Sequence, residues 1–97
     1  MSVQSNEVVY DDAFVKDVRR LPAEVGKKIG ALIEILREDP FDPRLHTKPL
    51  SAPLQGIFSF RIGRDYRVGF QLRAARIIHL LMVDKRGDIY RHPQRKA

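Results

Sequence analysis

The hydrophobic residues near the start of the chain predict one strand and one helix. Residues 7–10 form a short run, EVVY, that predicts a first β-strand. A helix is expected to follow and to extend through Arg20, because Asp11 or Asp12 can cap its first turn. The apolar stripe of this helix consists of Phe14, Val15, Val18 and Leu21. The pattern therefore predicts a strand that leads directly into a short amphipathic helix.

A second helical period begins at Pro22, since proline suits the first turn of a helix. The apolar positions that then recur at helical spacing are Val25, Ile29, Leu32, Ile33 and Leu36. Asp39 and Pro40 are expected to end this helix, because proline cannot continue the backbone hydrogen-bond ladder. Two consecutive helices should thus present their apolar stripes to one shared surface.

The second half of the chain changes to the pattern of strands. Residues 40–53 contain four of the six prolines and predict an ordered loop. Strands are expected at about 57–62, 66–72 and 77–83, and the last of them, IIHLLMV, is apolar on both faces like a central strand. The order β-α-α-β-β-β predicts a single two-layer α+β domain over residues 1–97. In it two N-terminal helices pack on a mainly antiparallel four-stranded sheet.

The segment FRIGRDYR predicts a β-hairpin with the three-residue loop 63–65. If Ile62 closes the hairpin against Tyr66, counting outward places Arg61 opposite Arg67. Like charges directly opposite each other destabilise a strand pair. One interpretation is a solvated sheet face on which the long side chains separate. The other is a bound phosphate, because a guanidinium group matches phosphate oxygens in a bidentate geometry.

The same register divides the hairpin residues between two faces. The apolar ones are expected to meet the helices. The opposite face, which is expected to be open, polar and cationic, carries Ser59, Arg61, Arg67, Gly69 and Gln71.

Charge is distributed unevenly along the chain, whose net charge is +6. Residues 1–43 hold 6 Lys+Arg and 9 Asp+Glu, whereas residues 44–97 hold 12 Lys+Arg and 3 Asp+Glu. A basic half of this kind indicates a polyanionic partner. The absence of cysteine, of a signal peptide and of a membrane-spanning run predicts a cytoplasmic protein without a membrane partner.

Four short motifs resemble the RelE/ParE superfamily of toxins from toxin–antitoxin pairs, and its RelE-like branch in particular. They are Lys48-Pro49-Leu50, Leu54-Gln55-Gly56, Arg61-x-Gly63-x-Asp65-Tyr66-Arg67, and Lys85-Arg86-x3-Tyr90. The resemblance implies the toxin of a type II pair, a ribosome-dependent endoribonuclease that cleaves messenger RNA codons in the A site without metal or cofactor. Its implied partners are the ribosome, messenger RNA and a cognate antitoxin that neutralises it in a hetero-oligomer.

The resemblance also implies roles for individual residues. Arg61 and Arg67 match the strand cations that hold the scissile phosphate. Arg86 matches the late arginine that stabilises the transition state, and Tyr90 matches the tyrosine that stacks on or orients the attacked nucleotide. Lys48 matches a lysine that contacts the RNA backbone.

Further RNA contacts are expected from Arg64 at the hairpin tip and from Lys85. The general base is not assigned: arginine stays protonated and is a poor base, which leaves His92 and Lys85 as candidates. Two alternatives remain open, namely a ParE-like inhibitor of DNA gyrase and a nucleic-acid-binding module without catalysis.

Overall fold

The fold comes from a computed structural model that describes residues 6–73 and 76–85. Within them the strands are β1 (Glu7–Tyr10), β2 (Lys48–Pro49), β3 (Phe58–Ile62), β4 (Tyr66–Arg73) and β5 (Ile77–Lys85). The helices are α1 (Asp12–Arg19) and α2 (Ala23–Glu38), and a short 3-10 turn covers Pro43–Leu45.

The strands form one sheet in the order β1-β5-β4-β3-β2. β1 runs parallel to β5 and every other pair is antiparallel. The predicted α+β class is therefore confirmed, and the apolar strand β5 is central as expected. The sheet has five strands instead of four, because part of the segment predicted as a loop forms β2, which pairs with β3.

The first helix is fixed to the sheet by two aspartates. The carboxylate of Asp11 caps α1 by accepting a hydrogen bond from the backbone N–H of Ala13 at 2.9 Å. The carboxylate of Asp17 accepts the backbone N–H of Val83 at 2.9 Å. β1 pairs with β5 only as far as Leu80, so α1 supplies an acceptor where the neighbouring strand has ended.

The main core lies between the helices and one face of the sheet. Its buried members are Phe14, Ile29, Ile33, Leu36, Leu45, Phe60, Ile62, Val68, Phe70, Ile78, Leu80 and Val83. The predicted stripe of α2 supplies three of them and is confirmed. In α1 the stripe is narrower than predicted, because Phe14 is buried whereas Val15 is exposed.

The opposite face of the sheet is not open, which corrects the sequence-based expectation. The segment 50–57 folds over it, and Leu50 and Leu54 pack on Met82 in a second buried cluster. The alternating pattern of the strands identified the polar face correctly, but it carries no information on a loop that covers that face. No helix within residues 6–73 and 76–85 is long and apolar enough to cross a membrane.

Candidate functional site

The predicted hairpin register is confirmed. Ile62 pairs with Tyr66 and Arg61 pairs with Arg67, so two guanidinium groups come from directly opposed positions of β3 and β4. Gly63 begins the three-residue turn with a φ of 59°, in the left-handed region that favours glycine. The turn chemistry therefore sets the register that brings the two arginines together.

Arg67 is held by its neighbours on the covered face. Only 8% of the residue is exposed, and its Nη1 donates a hydrogen bond to the hydroxyl of the fully buried Ser59 at 3.2 Å. On the other side of β4, the register places Asp84 of β5 opposite Arg67. An opposite charge at a cross-strand position is stabilising. Asp84 and Ser59 thus explain why the sheet tolerates a second arginine at Arg61.

Arg61 lies in different surroundings from Arg67. The residue is half-buried, and its Nε is buried without a hydrogen-bond partner among the described residues. Beyond Ser59, β3 has no pairing partner on its outer side in the described chain, since β2 pairs only with Phe58 and Ser59. Arg61 therefore reaches a groove at this edge of the sheet.

We call this groove the α2 groove. It has a volume of about 360 Å³, and its lining residues are Lys28, Ala31, Leu32, Arg44, His46, Arg61 and Gly63. Three cationic side chains and a histidine thus surround a floor formed by two apolar residues of α2. No carboxylate is among the described residues that line it.

Asp42 nevertheless modulates the charge of the α2 groove from one side. Its carboxylate accepts hydrogen bonds from Nε and Nη2 of Arg44 at 3.0 and 2.9 Å, and from the backbone N–H of Arg44 at 2.9 Å. The side-chain hydrogen bond from Arg44 is the main reason that the pKa of Asp42 is lowered to about 2. The same contact raises the pKa of Arg44. Part of the positive charge of Arg44 is therefore already compensated.

The three predicted RNA-contacting residues are exposed but do not form one cluster. Lys48 of β2 pairs with Ser59, which places it on the same sheet face as Arg67. Arg64 and Lys85 line a separate cavity of about 660 Å³ together with Asp65 and Tyr66. The structure thus brings Arg64 and Lys85 together at the hairpin end of the sheet.

Three further residues singled out in the sequence lie outside the described residues. They are Arg86 and Tyr90, which are expected to stabilise the transition state and to orient the nucleotide, and His92, a candidate base. Their assignments stay predictions. Arg86 follows Lys85, which ends β5 and pairs with Tyr66.

The sequence reasoning missed Lys28, Arg44 and His46, which line the α2 groove with Arg61. These residues come from α2 and from the 3-10 turn and its end, far from the hairpin along the chain. Only the Lys27-Lys28 pair gave a local signal, and the amphipathic pattern explains both residues as solvent-facing positions. Their convergence is a tertiary feature that no short motif contains.

The fold was compared with solved structures. A YoeB/ParE toxin from Agrobacterium tumefaciens superposes with a TM-score of 0.73 at 20% sequence identity, over 82% of this chain and 98% of the toxin. A chain of the RelBE2 toxin–antitoxin complex from Mycobacterium tuberculosis gives 0.66 at 28% identity, over 84% and 99% of the two chains. In fold, this chain is therefore similar to toxins of the RelE/ParE kind.

A third similar structure, from the archaeal RelE–RelB complex of Pyrococcus horikoshii OT3, gives a TM-score of 0.72 at 23% identity, over 84% of this chain and 96% of that one. The resemblance predicted from the four sequence motifs is therefore confirmed. No family model and no curated protein matches the sequence. The RelE/ParE likeness is thus carried by the fold and by a few motifs.

Proposed function

We propose that the protein is the toxin of a type II toxin–antitoxin pair, of the RelE-like branch, and that it cleaves messenger RNA on the ribosome. The observation that carries this proposal is the paired register of Arg61 and Arg67 on a RelE/ParE fold. Two guanidinium groups from adjacent strands suit the recognition of a phosphate. The RelBE2 structure, described as a toxin–antitoxin complex, supports the toxin assignment.

The proposed reaction needs no group beyond side chains and RNA. The ribose 2′-oxygen attacks the adjacent phosphorus, and the P–O5′ bond breaks. The products are a 2′,3′-cyclic phosphate and a 5′-hydroxyl. A base takes the 2′-hydroxyl proton, an acid protonates the leaving 5′-oxygen, and cations stabilise the charge of the transition state.

Arg67 is the most firmly held of the cations in this proposal. Its hydrogen bond to Ser59 and the carboxylate at the cross-strand position fix the guanidinium group before substrate arrives. A preorganised cation has little reorganisation to undergo when charge develops on the phosphate. Arg61 and Arg86 supply further positive charge in this proposal, and Tyr90 stacks on the attacked nucleotide. Lys85 and His92 remain the candidates for the base.

We assign the neutralising partner to an antitoxin with an acidic docking segment. The C-terminal part of the chain, residues 44–97, carries 12 basic and 3 acidic residues. Charge complementarity would steer a segment rich in Asp and Glu to this surface and raise its association rate. An association rate that does not change between low and physiological salt would contradict this assignment.

The decisive test compares Arg67→Ala with Arg73→Ala. Both arginines lie on β4 at positions that face the same side of the sheet, but Arg73 is exposed at the other end of the strand. Loss of one contact to the transition-state charge typically costs about a hundred- to a thousand-fold in rate. We therefore expect Arg67→Ala to abolish cleavage of ribosome-bound message and growth inhibition, whereas Arg73→Ala retains both.

Because Arg67 is buried, the same variants need a stability control. Thermal unfolding of Arg67→Ala identifies any loss of folded protein, and Arg67→Lys keeps the charge without the bidentate fork. Full cleavage by a folded Arg67→Ala variant would contradict the proposal. A gyrase supercoiling assay run in parallel distinguishes the ParE-like alternative, in which supercoiling is inhibited and message stays intact.

A further inference from the structure

The α2 groove is lined by more positive charge than carboxylates of the described chain compensate. Lys28 and Arg61 line it from α2 and β3, and Arg44 and His46 line it from the 3-10 turn and its end. Within the described residues, Arg44 has a carboxylate partner in Asp42, and no ion pair involves Lys28 or Arg61. We propose that the α2 groove is a second nucleic-acid site, which binds a backbone phosphate and the attached nucleotide of an RNA strand.

The two cations without such a partner converge beside the hairpin turn. A Cβ atom placed on Gly63 would lie 3.9 Å from Nζ of Lys28, so the ammonium group is next to the hairpin turn. Arg61 precedes that turn by two residues and lines the same groove. Like charges held near each other raise the free energy of the empty site, and a bound anion removes this penalty.

The buried Nε of Arg61 also favours a bound anion. A buried donor without an acceptor destabilises the folded state. In the described residues, this Nε has no acceptor. A small rotation of the Arg61 side chain on binding would bring this Nε to an anionic oxygen in the groove. The guanidinium fork then favours phosphate, whose oxygens it can bind in pairs.

The apolar part of the groove suits the uncharged part of a nucleotide. Ala31 and Leu32 give the groove an apolar floor, and its volume of about 360 Å³ lies within the range of small-ligand sites. A nucleotide combines a phosphate for the cations with a base and a ribose for this floor. An acidic peptide side chain would place its carboxylate on the cations but would leave much of the floor uncovered.

The position of the groove links it to the proposed cleavage site. Arg61 lines the groove, and its Cα pairs with that of Arg67. An RNA strand whose scissile phosphate lies at Arg67 can therefore continue over the edge of β3 to the groove. This inference rests on the proposed RNA substrate, and it assigns to the groove the binding of a neighbouring nucleotide rather than a part in the chemistry.

Lys28→Gln, with Lys27→Gln as the matched control, tests the proposal. The two lysines are adjacent and exposed on α2, but only Lys28 lines the groove. The probe is a fluorescent 2′-O-methyl RNA dodecamer, which lacks the nucleophile and cannot be cleaved. Each phosphate contact contributes about 0.7 to the salt slope of single-strand binding. Lys28→Gln should lower the slope by about this amount.

The loss of affinity in Lys28→Gln should accordingly shrink about threefold between 50 and 200 mM salt. Lys27→Gln should change the slope much less.

Asp42→Asn gives a test of opposite sign, because asparagine can still accept the backbone N–H of Arg44 but leaves the guanidinium uncompensated. RNA binding should become tighter and more salt-dependent in this variant.

Equal slopes for Lys28→Gln and Lys27→Gln would overturn the proposal. So would a Lys28→Gln defect that affects binding of poly-L-glutamate and spares the RNA, since the groove would then serve an acidic protein. Cleavage of ribosome-bound message, measured with the unmodified chain, tests the proposed function independently. RNA binding at the groove without cleavage would support the second site and reject the nuclease, and cleavage with equal slopes would do the reverse.

Discussion

The two faces of the sheet come from alternate residues of the same strands, yet they are buried in different ways. On the helix-covered face, Phe60 and Phe70 are fully buried among other apolar side chains. On the opposite face, Ser59 is equally buried and Arg67 nearly so, and Leu54 of the segment 50–57 packs there on Met82. One face is an apolar core, whereas the other encloses hydrogen-bonded polar groups under a loop.

Burial alone therefore does not separate structural from functional positions. A buried guanidinium group is costly unless neighbouring groups compensate it. Arg67 has Ser59 and the cross-strand Asp84, so its cost is reduced and its orientation is fixed. The helix-covered face should therefore determine most of the stability. The loop-covered face should control how precisely the guanidinium is held.

A substitution in the core of the helix-covered face should lower the free energy of unfolding most. Phe60→Ala should lower the free energy of unfolding by about 3–5 kcal/mol, the range for large-to-small changes of a buried phenylalanine. Leu72→Ala is the control, because Leu72 lies on the neighbouring strand β4 and is 39% exposed. Urea unfolding measures both variants. Equal losses in the two would mean that Phe60 is not in the principal core.

The next effect concerns the loop-covered face. Leu54 is 4% exposed, and its cluster holds two other buried residues among those that the structure describes, so Leu54→Ala should cost about 2–3 kcal/mol, the low end for such truncations. Gln55→Ala, at an exposed neighbouring position, should cost little. Hydrogen exchange should also become faster at the buried Gly69, which pairs with Met82, the residue on which Leu54 packs. Unchanged exchange there would mean that the loop is not the cover.

Much of the fold could be predicted because its signals are local. The helical period of α2 and the alternation around the hairpin each lie within one element, and both predictions were confirmed, including the pairing of Ile62 with Tyr66. The covering segment could not be predicted, since residues 50–57 show no regular period. The β-bulge beside Gly69 could not be predicted either. The facing strand β5 is apolar on both faces, so an extra residue does not change its hydrophobic pattern.

The candidate site divides in the same way. Arg61 and Arg67 were predicted from one hairpin, in which residues that are close along the chain are also close in space. The α2 groove was not predicted, because Lys28 and His46 reach Arg61 only through the packing of α2 and the 3-10 turn against β3. The sequence also gave no sign that Ser59 is the acceptor for Arg67, since a serine on a polar strand face usually meets water.

A smaller effect should follow from Ser59→Ala, which leaves Arg67 in place and removes its hydroxyl acceptor. A hydrogen bond to a charged group contributes about 1.5–3 kcal/mol, and this one is long at 3.2 Å, so we expect about 1–2 kcal/mol. Ser51→Ala, at an exposed position in the covering segment, is the control. The variant should also reduce cleavage less than Arg67→Ala does. A Ser59→Ala protein as inactive as Arg67→Ala would make the hydroxyl a participant in the chemistry.

The smallest effect lies at the Asp42–Arg44 ion pair of the 3-10 turn, where charge should matter more than packing because the Arg44 side chain is exposed. The pKa of Asp42 is lowered from 3.8 to about 2, chiefly by the side-chain hydrogen bond from Arg44. A carboxylate whose pKa is lower in the folded state stabilises that state above its unfolded pKa. This contribution is lost as the pH falls from about 4 towards 2.

Arg44→Ala should raise the pKa of Asp42 towards 3.8 and make stability less sensitive to pH in this window. Carboxyl NMR titration measures the shift directly, with Arg73→Ala as a control that removes an exposed arginine from the end of β4. An Asp42 titration that is the same in Arg44→Ala and in the unaltered protein would show that the ion pair does not form in solution. Arg44 would then bring its full charge to the α2 groove.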